Sequence, residues 1–253
     1  MRRRLVAATL LCAVLVACSS DPGPVTKPDV PTPSSPTPAG TPASTPATTR
    51  AAATGPVRYV ALGDSVTSGE GLLPEETYPS LLADLWRGTG CEVELSNVAV
   101  TGYKSEDVLI VEVPPAVGFE PTVATLMVGG NDIANGIGID AYRENVRQTL
   151  ATLSEAGADI VTVSMQYWDR TPFAVDGDYG TPEELAAQRA AFNQVLVEEG
   201  EAVGATYVDL SDVFEEQVQQ EMWQEDQLHP TAEAYVAWAD GIFADAPNPC
   251  GAG

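Results

Sequence analysis

The sequence predicts an α/β fold, a parallel sheet with helices on both faces. Two observations carry this. From Pro56 onward, short runs rich in β-branched residues alternate with longer amphipathic stretches, the order that builds a parallel sheet. Most of the short runs are also nearly continuously apolar, as strands buried on both faces require.

The elements follow in order. Strands are expected at "VRYVAL" (57–62), "VELSNV" (93–98), "TVATLMV" (122–128), "DIVTVSM" (159–165) and "ATYVDL" (205–210). Helices are expected over 78–87, 104–111, 140–154, 182–203 and 231–243. In the last, Tyr235, Val236, Ala239, Ile242 and Phe243 recur at helical spacing. Pro182 and Pro230 suit first-turn positions, where no backbone N–H is needed. No internal repeat is visible.

The segment before this domain reads differently. Residues 1–17 place three arginines before a short apolar run, the pattern of a signal peptide and too short for a membrane helix. Leu15-Val16-Ala17-Cys18 also resembles a bacterial lipobox, which makes Cys18 a lipidation site and the lipid a membrane anchor. Residues 18–55 are rich in Pro, Thr and Ala and hold no aromatic residue, so a disordered tether is expected. The folded domain is placed at 56–253. The product is then exported, held on the outer face of the cell membrane or released.

Composition narrows the partners. The formal charge is −24 and no basic cluster exists in the domain, which excludes nucleic acid and anionic headgroups as partners. The acidity itself reads as solubility. With Cys12 in the leader and Cys18 at the lipid site, Cys91 and Cys250 remain. An oxidising setting favours a disulfide between them. One histidine in the whole chain leaves no metal-ligand spacing. A monomer without cofactor is expected.

The chemistry is concentrated where strands end. "ALGDSVTSGEG" puts Ser65 just past the first strand, at the sheet edge where open α/β folds bind ligands. No Gly-Lys-Ser/Thr follows, and no Gly-x-Ser-x-Gly surrounds the serine. Taken alone, this reads first as a glycine-rich turn with a capping serine. "NVAVTGY" and "MVGGNDI" emerge at the same edge. There Gly102 offers a backbone N–H and Asn131 a side-chain amide, donors of the kind that stabilise an oxyanion. "GGND" is also an ordinary turn sequence. Serine needs a base, and His229 is the sole imidazole. Asp226, three residues earlier in "DQLHP", can accept the other ring N–H and orient it. A surface turn ahead of a helix is the plainer reading of that pentapeptide.

The four blocks together change the balance. "GDSVTSGEG", the glycine of "NVAVTG", "GGND" and "DQLH", in this order, resemble those of the SGNH, or GDSL-type, hydrolases, from Tyr59 to about Phe243. The resemblance implies a three-layer α/β/α sandwich with a five-stranded parallel sheet, flavodoxin-like. It implies Ser65 as nucleophile, His229 as base and Asp226 as its orienting acid. Ser65, Gly102 and Asn131 would form the oxyanion hole, and no metal would be used. The expected function is a serine esterase acting on small acyl, lipid or glycan esters. An acyltransferase to cell-wall glycan and a catalytically silent wall-associated module are the competing readings. The stretch "QYWDRTPFAVDGDYG" (166–180) offers Tyr167, Trp168 and Phe173 either as walls of an acyl or sugar pocket or as packing for its own loop.

Overall fold

Strand β1 (Val57–Gly63) occupies the middle of the sheet, and its side chains explain why. Tyr59 and Ala61 enter one apolar layer while Val60 and Leu62 enter the other, as the two-residue period of a strand dictates. The computed structural model describes residues 55–251. The leader, Cys18 and all of the expected tether except Gly55 lie outside the described residues.

β2 (Val93–Asn97), β3 (Val123–Met127), β4 (Asp159–Val163) and β5 (Thr206–Val208) complete a wholly parallel sheet in the order β2-β1-β3-β4-β5. All five strands lie where the sequence places them, four with trimmed ends and β1 one residue longer. β3 is buried throughout and β4 from Ile160 on, whereas the edge strands β2 and β5 are half exposed.

The face bearing Tyr59 is covered by α2 (Tyr78–Gly88), α9 (Ser211–Gln219) and α10 (Ala232–Asp245), through Leu82, Trp86, Phe214, Tyr235 and Trp238. The opposite face is covered by α6 (Ile139–Glu155) and α8 (Pro182–Val203), joined by Tyr142 stacked on Phe192 at 4.3 Å. Cys91 and Cys250 are joined in a disulfide, tying the chain after α2 to the chain after α10.

Besides three short helices in the loops, two stretches differ from expectation. α9 was not anticipated, and β5 is short for the same reason. Asp209 Oδ1 accepts the N–H of Ser211 at 2.9 Å and its hydroxyl at 2.5 Å, an Asx turn that ends the strand and starts the helix. The helix expected over 104–111 runs further, as α3 (Ser105–Asp107), a π-helical turn (Val108–Glu112) and α4 (Val113–Gly118). Pro114 and Pro115 have no N–H to donate to the preceding turn, and their rings crowd its carbonyls. The backbone widens there instead of stopping, with Val113 N–H donating to Val108 C=O five residues back. The short helices α1 (Ser65–Ser68), α5 (Gly130–Ala134) and α7 (Pro172–Asp176) lie in loops at the carboxyl edge of the sheet.

Candidate active site

The turn after β1 is built by a close approach. A side chain at Gly63 would put its Cβ 2.3 Å from the Met127 carbonyl oxygen, so only glycine lets the chain bend there. Asp64 then caps α1, accepting Val66 N–H at 3.1 Å, and leaves Ser65 as the first helical residue. Burial pushes the Asp64 carboxyl up to about 6 against the pull of that N–H.

The loop after β2 turns at Gly102, whose φ of +81° is the left-handed backbone that glycine adopts freely. Its neighbour Tyr103 accepts Asn131 Nδ2–H at 3.1 Å. That bond orients the Asn131 amide beside the Gly102 turn, and the same side chain also hydrogen-bonds the Asp64 carboxyl. Next to Asn131, Asp132 is fully buried and accepts both the N–H and the hydroxyl of Ser105, at 2.9 and 2.5 Å. Burial raises its carboxyl above the ordinary range, and the Ser105 donors oppose this.

The fourth block folds on itself. Asp226 Oδ1 accepts the N–H groups of Leu228 and His229, each at 3.0 Å, and Oδ2 meets His229 Nδ1 at 2.5 Å. Burial pushes the Asp226 carboxyl up, but the imidazole and the two N–H donors outweigh it and hold it below its ordinary value. Gln227 between them takes a φ of +63°, a strained setting for a non-glycine residue. The turn is tied outward at three points: Phe173 N–H to Gln227 C=O, Gln224 N–H to His229 C=O, and Gln224 Nε2–H to Glu70 C=O. Tyr235 Oη–H on α10 donates to Val66 C=O at 2.8 Å, which joins the histidine's helix to the serine's turn.

Ser65 and Asn131 open onto one cavity of about 290 Å³, walled by Met127, Met165, Trp168, Phe173 and Tyr179. His229 is buried at 7% exposure, and its Nε2 has no hydrogen-bond partner among the described residues. Ser65 and His229 therefore do not hydrogen-bond each other. No group of His, Cys, Asp and Glu suited to a metal occurs among the described residues.

The aromatic loop divides between its two sequence readings. Trp168 and Phe173 line the cavity, together with Tyr179, which the sequence reading passed over. Tyr167 packs instead against Phe214, with the Arg189 guanidinium 3.8 Å above its ring. Arg189 also donates to the buried Asp169 at 2.6 Å.

Two buried acids near the site, Asp132 and Glu112, were likewise not singled out. Glu112 had a visible signal: a carboxylate on the same helical face as Val108, Val113 and Ala116.

This arrangement defines the class. A parallel sheet carries a serine, an amide and an acid–histidine pair on successive loops at one edge. Residues 61–237 match the model of the GDSL-like Lipase/Acylhydrolase family, and the chain belongs to that family. Among curated proteins it is similar to a GDSL-like esterase of Mycobacterium tuberculosis, 28% identical over 203 residues. That match covers 74% of this chain and 60% of the relative's length.

Solved structures of the same fold include TesA, with a TM-score of 0.63 and 18% identity over 76% of this chain and 99% of that one. The psychrotrophic esterase EstA from Pseudoalteromonas sp. aligns with a TM-score of 0.60 and 20% identity, over 74% of this chain and 95% of its own. The acetylxylan esterase Axe2 from Geobacillus stearothermophilus gives 0.60 and 15%, over 76% and 94%.

Proposed function

We propose that this protein is a serine hydrolase of carboxylic esters. The observation that carries the reading is the cavity shared by Ser65 and Asn131, set beside the bonded Asp226–His229 pair. Ser65 Oγ attacks the ester carbonyl while His229 Nε2 takes its proton. The same imidazolium then protonates the departing alkoxide, and a water molecule repeats the cycle on the acyl-enzyme. Asp226 holds the Nδ1–H and steadies the imidazolium. The N–H groups of Ser65 and Gly102 and the side-chain amide of Asn131 receive the developing oxyanion.

The cavity's size supports a small substrate. At about 290 Å³ it sits at the low end of ligand pockets, roughly 300–1,000 Å³, so the acyl group is short to medium in length. Its walls of Met127, Met165 and Trp168 favour an apolar acyl chain.

The purified chain should cleave p-nitrophenyl acetate, butyrate and hexanoate faster than laurate, and Ser65→Ala should abolish turnover. Turnover that survives Ser65→Ala sinks the reading. Acetylated xylan belongs in the same panel, because Axe2 is an acetylxylan esterase. Added glycan acceptors would reveal acyl transfer by the acylated product.

We further propose that Cys18 carries a lipid that holds the enzyme on the outer face of the membrane. Among the described residues no helix is long and apolar enough to cross a membrane, so anchoring rests on the leader. Cys18→Ala should move the protein from the membrane fraction to the medium; unchanged partitioning would refute the anchor.

A further inference from the structure

The ladder between β1 and β2 ends in an unexpected way. Its last bond runs from Val98 N–H to Ala61 C=O at 3.0 Å. A parallel ladder would next pair Gly63 N–H with Val98 C=O, and then Val100 N–H with Gly63 C=O. Both donors go elsewhere. Gly63 N–H donates to Glu112 Oε2 at 2.9 Å, and Val100 N–H donates to Glu112 Oε1 at 3.2 Å. The carboxyl group is 1% exposed and arrives from the π-helical turn on the neighbouring face.

A buried carboxyl group is a costly way to satisfy two backbone donors. The carbonyls of Val98 and Gly63 would have satisfied them simply by continuing the ladder. What the carboxyl group does, and the ladder could not, is keep the two strand ends apart. Gly63 lies two residues before Ser65, and Val100 two residues before Gly102. These are the two backbone N–H groups assigned above to the oxyanion hole.

We propose that Glu112 is a positioning residue that wedges the ends of β1 and β2 apart and so sets the spacing of the Ser65 and Gly102 N–H groups. This rests on the oxyanion reading of the previous section. Two oxygens are needed for the task. Glutamine at 112 would keep one acceptor and turn an NH₂ toward the other backbone N–H. Leucine would keep none, leaving both backbone donors without this partner and the strand ends without their spacer.

The test compares Glu112→Gln and Glu112→Leu with the wild-type chain. kcat per active site is counted with a fluorophosphonate, KM is measured in parallel, and amide hydrogen exchange is followed over 61–66 and 98–104. A displacement of about 1 Å at a catalytic group lowers rate by about 10²-fold. Glu112→Leu should therefore lose kcat by about that factor and Glu112→Gln by about 10-fold, both with KM changed by less than about threefold. Exchange of the Gly63 and Val100 amides should rise in the same order. Wild-type kcat per titrated site in Glu112→Leu would overturn the proposal, and so would a loss carried by KM alone. A wild-type chain without ester turnover would refute the hydrolase reading instead. The exchange arm would still decide the wedge, since unchanged exchange at Gly63 and Val100 in both variants would overturn it.

Discussion

The two halves of the site are built from different materials. Around Ser65, Gly102 and Asn131, three loops are held by buried carboxyl groups on backbone N–H donors: Asp64 on Val66, Glu112 on Gly63 and Val100, and Asp132 on Ser105. Around Trp168 the wall is held by rings, with Tyr179 5.6 Å from Trp168 and 5.9 Å from Phe173. Phe173 and Tyr179 are also partly exposed. Hydrogen bonds are directional and fix positions closely, whereas ring contacts tolerate sliding and repacking. In the proposed function, the rigid half aims at a developing charge and the adaptable half accepts an acyl chain.

The sharpest test of this contrast removes an aim without removing an atom. Asp226→Asn should keep the turn but leave the imidazole in the wrong tautomer, lowering kcat by about 10³–10⁴ with a circular-dichroism spectrum like the wild type. Asp132→Ala should break the rigid half by stability. It strands the Ser105 N–H and hydroxyl in the interior, a loss of about 2–4 kcal/mol, read as a fall in denaturation midpoint.

The buried acids also predict how stability depends on pH. Burial pushes Glu112 up to about 8 and Asp64 up to about 6. In the unfolded chain these carboxyls lose their protons near pH 4. Between that pH and the folded values the native state holds more protons, so raising the pH favours unfolding. Stability should fall from about pH 5 to pH 8, by on the order of 2 kcal/mol for Glu112, and Glu112→Gln should flatten that slope. A slope unchanged in the variant would contradict it.

The adaptable half should respond least in stability and most in selectivity. Tyr179→Ala should widen the cavity and move the preferred acyl chain longer, raising relative kcat/KM for octanoate by about 10-fold or less. Its effect on the denaturation midpoint should be small.

The same division explains what could be read beforehand. Every strand was legible, and so were the blocks of the candidate site, because they pair turn residues of definite chemistry, as in Gly63-Asp64-Ser65 and Asp226 to His229. What escaped depends on tertiary contacts. Helix α9, "SDVFEEQVQ", buries little more than Phe214 and Gln217, and Gln217 is inside because it accepts Trp238 Nε1–H at 3.0 Å. Nothing local announces that bond. The helix expected over 104–111 ends before Pro114-Pro115, yet the helical path passes through them by widening. Glu112 was in plain view on an apolar helical face, but the strand ends it touches are a tertiary contact.

The disulfide has a consequence beyond fastening two ends of sequence. It closes beside the far end of α10, the helix that begins just after His229. Fourteen residues at about 1.5 Å each make α10 a rod of about 20 Å. Five residues past one end the chain is tied covalently to the region after α2; the other end carries the turn that holds His229. A covalent crosslink so close to a helix terminus limits how far that terminus can part from the domain, and so steadies the rod on which the proposed base is mounted.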